Sequence, residues 1–106
     1  MNNNRFGFKS GDLETIVQVL KKIPEIKKAV IFGSRAIGNH RAGSDADIAV
    51  WTTNEDTIGH LSGMLNDETL LPYKFDILCY NKINSPELKE QIDLAGVEIY
   101  KKSKDN

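Results

Sequence analysis

The sequence predicts an α+β domain, one β-sheet with helices packed against it. Helical and strand-like periodicities alternate along the chain. Its 106 residues suffice for one hydrophobic core. No internal repeat or low-complexity linker divides it. A single domain over 1–106 is therefore expected, with residues 1–5 and 101–106 frayed.

The first helix is predicted over Asp12–Ile23, where Leu13, Ile16, Val17, Leu20 and Ile23 recur at helical spacing. Ser10 is the expected cap, Asp12 and Glu14 suit the positive helix end, and Pro24 stops it. Lys28–Phe32 reads as a short buried strand ending at Gly33. A loop with one helical turn after Ser34 leads to a second strand over Asp45–Thr52. There Ile48 and Val50 share one face, while Asp47, Ala49 and Trp51 share the other. Thr53 or Asn54 caps a helix over Glu55–Asn66 striped by Ile58, Leu61 and Leu65, although Gly59 and Gly63 weaken it. Lys74–Tyr80 is the third strand, with Phe75, Ile77 and Cys79 on one face and Lys74, Asp76 and Leu78 on the other. Ser85-Pro86 opens a helix that Gly96 ends. Val97–Tyr100 is the last strand, followed by a solvated Lys101–Asn106 tail.

Composition narrows the function. Fourteen basic and fifteen acidic side chains leave a net charge of −1, so nucleic acid held by a strongly basic surface is not the expected ligand. The longest apolar runs, such as Ala29–Phe32, fall far short of the ~20 residues of a membrane helix. No basic, apolar and small-residue triplet opens the chain, and the expected compartment is the cytoplasm. A lone cysteine, Cys79, excludes an intramolecular disulfide framework and a cysteine-built zinc site. P-loop, dinucleotide-binding, zinc-helix and serine-elbow patterns are all absent from the sequence.

The informative stretch is Gly33-Ser-Arg-Ala-Ile-Gly-Asn-His-Arg-Ala-Gly-Ser-Asp-Ala-Asp47. Asp45 and Asp47 lie two apart at the start of a strand, on one face and ~6.6 Å apart along it. Such a pair can converge on two divalent cations, and Asp76 joins them if its strand is a neighbour. An all-oxygen acidic donor set suits Mg²⁺ or Mn²⁺ rather than zinc. Upstream, Gly33 lets the backbone approach a phosphate, and the amides opening the next turn meet it. Gly33, Ser34, Arg35 and Ser44 form the expected phosphate-binding set, with Arg41 as a further source of charge. Eight aspartates in 106 residues give roughly 0.6 Asp-x-Asp pairs by chance. Requiring Gly-Ser at one fixed distance upstream lowers this to ~1 in 400, so the combination is specific.

These residues, Gly33-Ser34, ten intervening positions and Asp45-x-Asp47, resemble the signature of the polymerase-β-like nucleotidyltransferases. The shortness of the chain, Val30-Ile31-Phe32-Gly33-Ser34-Arg35-Ala36 and the Ser85-Pro86-Glu87-Leu88 to Ile99-Tyr100 ending are similar to the minimal nucleotidyltransferases, in particular their MntA-type antitoxin branch. The resemblance runs from about Phe6 to Tyr100. It implies a two-layer α+β fold with a mixed sheet and flanking helices, with Asp45, Asp47 and Asp76 binding two Mg²⁺ (or Mn²⁺) ions. Asp76 would also accept the proton of the attacking hydroxyl. ATP is the implied donor and a tyrosine of a small helical HEPN RNase partner the implied acceptor of AMP. The family often reads Gly-Ser-Arg-Ala-Arg-Gly, and Ile37 stands here for the second arginine. A chain this short has room for about one wall of a two-substrate site, which also points to an acceptor on a partner. Two rivals remain: a non-catalytic module that sequesters the HEPN partner, and transfer to a small molecule such as an aminoglycoside.

Other residues invite blander readings. Lys74 is expected either to pair with Asp76 or to meet a phosphate. His40 and His60 lack metal-ligand spacing and read as structural or surface residues. Cys79 reads as core packing, and Trp51 as sheet packing before base stacking.

Overall fold

The computed structural model describes residues 5–39, 41 and 43–103. The expectations for His40, Met1–Asn4 and Lys104–Asn106 therefore lie outside the described residues. Four strands, β1 (Lys28–Phe32), β2 (Ala46–Trp51), β3 (Phe75–Cys79) and β4 (Val97–Lys101), form one sheet in the order β3-β2-β1-β4. β1 runs antiparallel to β2 and β4, whereas β2 and β3 are parallel, so the sheet is mixed. The helices are α1 (Asp12–Lys21), the single turn α2 (Ser34–Ile37), α3 (Asp56–Gly63) and α4 (Pro86–Ala95). Among the described residues, no helix is long and apolar enough to cross a membrane.

The period-two alternation of the strands divides the core. Ala29, Ile31, Ile48, Val50, Phe75 and Ile77 point to one face and pack with Ile16 and Leu20 of α1 and with Leu61 and Leu65. Val30, Phe32 and Ala49 point to the other face and pack with Ile92 of α4. Each fully buried aliphatic side chain contributes roughly 1.5–3 kcal/mol. Ser85 caps α4 as expected, its hydroxyl accepting from the Leu88 amide at 3.2 Å, with Pro86 in the first turn. Gly96 seats the end of α4 on β1, since a Cβ there would collide with Val30 and the Ile92 carbonyl.

Several boundaries differ from expectation. α1 begins after Gly11 (φ +89°), which holds the N-cap position without a side-chain cap, so Ser10 is not the cap. The helix stops at Lys21, and Ile23 is buried just beyond it. Glu55 holds the N-cap position of α3 without a side-chain cap, and Asn54 just before it accepts from the Asp56 amide at 3.0 Å. α3 then widens into a π-turn over Met64–Glu68. Within that turn Asn66 takes 2.8 Å and 3.1 Å hydrogen bonds from and to the main chain of Phe75. A side-chain amide thus satisfies main-chain groups on the open edge of β3.

The tail is exposed at Lys101 and Ser103, but its main chain is held through Lys102. Lys101 belongs to β4, and Lys102 donates from its amide to the Lys27 carbonyl and from Nζ to the Pro24 carbonyl. The segment before α1 escaped the periodicity reading altogether. Phe6 and Phe8 are buried in the main core, and Phe6 adopts φ +61° in a 3₁₀ turn over Arg5–Gly7.

Candidate active site

The strand registers bring the acidic residues together. Asp47 pairs with Asp76 across the parallel β2–β3 ladder, and with Phe32 across the antiparallel β1–β2 ladder. Asp47 and Asp76 therefore stand side by side on neighbouring strands, ~4.8 Å apart along the ladder, with side chains on one face. Asp45 precedes β2 by one residue and is exposed, as is Asp76; Asp47 is half-buried. The three interact electrically. The Asp47 carboxyl is held above its ordinary value by burial first, then by the negative charges of Asp76 and Asp45. A divalent cation would reverse that penalty.

Gly33 follows Phe32, the register partner of Asp47, and this explains why no other residue serves there. Its φ is +78°, in the region that favours glycine, and a Cβ would lie 2.5 Å from Oδ2 of Asp47. The end of β1 thus presses its backbone directly against the central carboxylate. The amides of Ala36 and Ile37 return to the Gly33 carbonyl, so Ser34 and Arg35 open the α2 turn beside the acids. The Gly33-Ser34 turn lies against Asp47, and Asp45 and Asp76 lie within its electrostatic reach.

Arg35 and Ser44 have a different setting from the one expected. Arg35 is only 4% exposed, and its guanidinium donates to main-chain carbonyls. Nε and Nη2 fork onto the Ser44 carbonyl at 3.0 and 2.8 Å, and Nη1 donates to the Phe6 carbonyl at 2.7 Å. The same guanidinium carbon lies 5.3 Å from the Phe8 ring centroid and 5.1 Å from that of Tyr73. Arg35 is therefore a buckle that fixes the residue before Asp45 and the N-terminal segment, rather than a side chain turned toward the acids. The Ser44 hydroxyl accepts from the Arg41 amide at 2.9 Å and closes the turn that delivers Asp45. Sequence reasoning missed this role because an arginine after Gly-Ser looks like a phosphate ligand; its bond to Phe6 spans 29 positions.

The remaining candidates sort simply. Among the described residues the ion pairs are Lys28–Glu98 and Lys82–Glu55, so Lys74 does not pair with Asp76. Trp51 stacks on Tyr80 at 4.3 Å between ring centroids, which is sheet packing. His60 is exposed on α3. Cys79 is half-buried, its thiol 3.7 Å from the Thr52 carbonyl.

Does the donor set fit a metal? Among the described residues, no three acidic, imidazole or thiol side chains form a preassembled cage. Two adjacent carboxylates with a third in their field suit Mg²⁺ instead, which keeps waters and shares its shell between one or two carboxylates and substrate phosphates. The oxygen-only donors and the Gly33 backbone next to Asp47 fit such an ion shared with a phosphate.

Comparison with known proteins agrees with this geometry. The family model "Polymerase beta, Nucleotidyltransferase" matches residues 14–105. The protein adenylyltransferase MntA of Aphanizomenon flos-aquae (strain 2012/KM1/D3) is 54% identical over 37 residues, a stretch covering 35% of this chain and 25% of that protein. A toxin–antitoxin crystal structure with AMP-PNP superposes with a TM-score of 0.71 at 23% identity, covering 89% of this chain and 77% of that one. The tri-AMPylated Shewanella oneidensis HEPN toxin in complex with MNT antitoxin gives a TM-score of 0.62 at 22% identity, covering 88% and 72%. These likenesses establish a shared fold, and the family match takes in β1, the Gly33-Ser34 turn and all three aspartates. With its mixed sheet and its carboxylates on adjoining strands, this chain belongs to the polymerase beta nucleotidyltransferase family.

Proposed function

We propose that this protein is a metal-dependent nucleotidyltransferase that moves AMP from ATP to a hydroxyl, the acceptor being a tyrosine of a HEPN-type partner in the cytoplasm. The observation that carries the reading is the register pairing of Asp47 with Asp76, beneath a glycine that no side chain can replace. Two Mg²⁺ ions, or Mn²⁺, bound by Asp45, Asp47 and Asp76 would neutralise charge on the α-phosphate and the leaving pyrophosphate. The chain itself holds and orients. The Gly33-Ser34 turn offers backbone close to the phosphates, and the Arg35 fork sets the position of Asp45. In the transfer, the acceptor oxygen bonds to the α-phosphorus as the bond to pyrophosphate breaks, and the hydroxyl proton passes to Asp76. A relative named as an adenylyltransferase and a neighbour containing an AMPylated HEPN toxin support the choice of AMP and acceptor class.

A second reading, sequestration of the partner without transfer, draws on Ile37. This residue is 57% exposed at the end of α2, beside the site. Mass spectrometry of a HEPN partner after incubation with this chain, ATP and Mg²⁺ separates the two. We expect mass gains in steps of one AMP that vanish with the Asp45→Asn, Asp47→Asn double variant. A tight complex without mass change would favour sequestration. Neither complex nor change would redirect the search to small-molecule acceptors.

A further inference from the structure

A second locus, of opposite charge, is lined in part by residues of the turn that delivers Asp45. Lys9, Arg35, Arg41, Gly43, Pro72 and Tyr73 line a cavity of about 420 Å³, within the size range of small-ligand sites. Three of these residues are cationic, and no acidic residue lines the cavity. Arg35 is the unusual member. It is buried, and its hydrogen bonds go to the neutral carbonyls of Ser44 and Phe6. Among the described residues no carboxylate pairs with it. A buried cation ordinarily has a counter-charge, because carbonyl dipoles and aromatic faces repay desolvation only in part. Asp12 is linked to this group through Tyr73, its Oδ2 accepting from the Tyr73 hydroxyl at 2.5 Å. Tyr73 also receives the Lys9 amide hydrogen bond at 3.0 Å, so its ring is fixed as one wall. Lys9 and Arg41 are exposed at the rim.

We propose that this cavity is a second anion site, taking a phosphate-class oxyanion, either free or terminal on a nucleotide. It differs from the carboxylate locus in one decisive respect. Phosphate at Asp45, Asp47 and Asp76 requires a cation to bridge like charges, whereas here the positive charge belongs to the chain. Binding at this cavity is therefore metal-independent, and it holds whether or not the carboxylates turn over.

The test is a titration followed by amide NMR on the ¹⁵N-labelled full chain in EDTA, with inorganic phosphate, pyrophosphate and AMP in separate arms. Saturable shifts are expected at Lys9, Arg41 and Gly43. Binding should weaken at least tenfold in Lys9→Ala, Arg41→Ala and persist in Asp45→Asn, Asp47→Asn. Both cationic side chains are exposed, so their removal leaves the core intact. Phosphate alone binding as tightly as AMP identifies a free oxyanion, and tighter AMP identifies a nucleotide held against Tyr73. Non-saturating shifts, shifts at Gly33, Ser34 and Asp45–Asp47 with none at Lys9, Arg41 and Gly43, or unchanged affinity in the Lys9, Arg41 double variant would overturn the proposal.

Discussion

The two faces of the sheet differ in how completely they are covered. One face is closed by α1, α3 and the segment around Phe6 and Phe8, and Ile31, Ile48 and Val50 on it are inaccessible to solvent. The other face is covered by α4 over Val30, Phe32 and Ala49; two residues before Ala49 on β2 stands Asp47, with Asp76 as its register partner on β3. The lesson concerns division of labour within a single strand. Alternate residues of β2 serve opposite ends, Ile48 and Val50 supporting the fold and Asp47 placing charge on the open face. A domain of this size has few helices with which to cover its sheet, and the carboxylates stand where those helices leave it open.

Adjacent residues allow that division to be broken one side at a time. Asp47→Asn should lower nucleotidyl transfer about 1,000-fold, or ~4 kcal/mol of barrier, without loss of folding, as read by initial rates and denaturant melts. Ile48→Ala, one residue away on the closed face, should instead cost roughly 2–5 kcal/mol of stability in urea unfolding. Transfer per folded molecule should change little. If both variants damaged stability equally, the faces would not be separable as described.

Arg35 tests the connection between the faces, since it ties the buried Phe6 segment to the residue before Asp45. Arg35→Met should destabilise the chain by about 2–3 kcal/mol, because buried carbonyls lose charged donors. Arg35→Lys should recover only part, lacking the planar fork. Smaller still is the glycine comparison. Gly33 and Gly38 both have positive φ, at +78° and +87°, but only Gly33 has a neighbour within 4 Å of the added Cβ. Alanine at Gly38 should therefore cost ~1–2 kcal/mol of backbone strain alone. Alanine at Gly33 should cost more and also displace Asp47, lowering transfer. Thermal melts and rates on the pair separate strain from contact.

The smallest effect is electrostatic. Asp47 binds its proton more tightly in the folded chain than at its ordinary pKa of 3.8. Its contribution to stability is complete below that value and is lost as pH rises through the raised one. Ionised Asp47 is thus a liability at neutral pH. Asp47→Asn should raise the melting temperature there by a few degrees at most, with the gain vanishing near pH 4. Added Mg²⁺ should narrow the same gap by stabilising the parent chain alone.

Much of this was legible in the residues themselves. Alternation in β2 and β3 assigned Asp47 and Asp76 to the face opposite Ile48 and Ile77, because side chains switch faces at every residue of any strand. Ser85-Pro86 and Gly96 marked the ends of α4 through local capping chemistry. Other features were hidden. Ser10 yielded the cap position to Gly11, a choice set by the approach of the chain to the helix. Asn66 looked like the last residue of a helix, yet its amide completes the main-chain bonding of Phe75.

Local sequence was enough for the main helices and strands and for the polarity of each strand face, since those depend on near neighbours and backbone periods. The pairing of Asp47 with Asp76 and the approach of Gly33 to Asp47 came instead from the assembled fold. It also turned Arg35 inward as a buckle and gathered Lys9, Arg41 and Tyr73 around one cavity. These are contacts between segments far apart in the chain. They are selected by how the whole core closes, which no local period encodes.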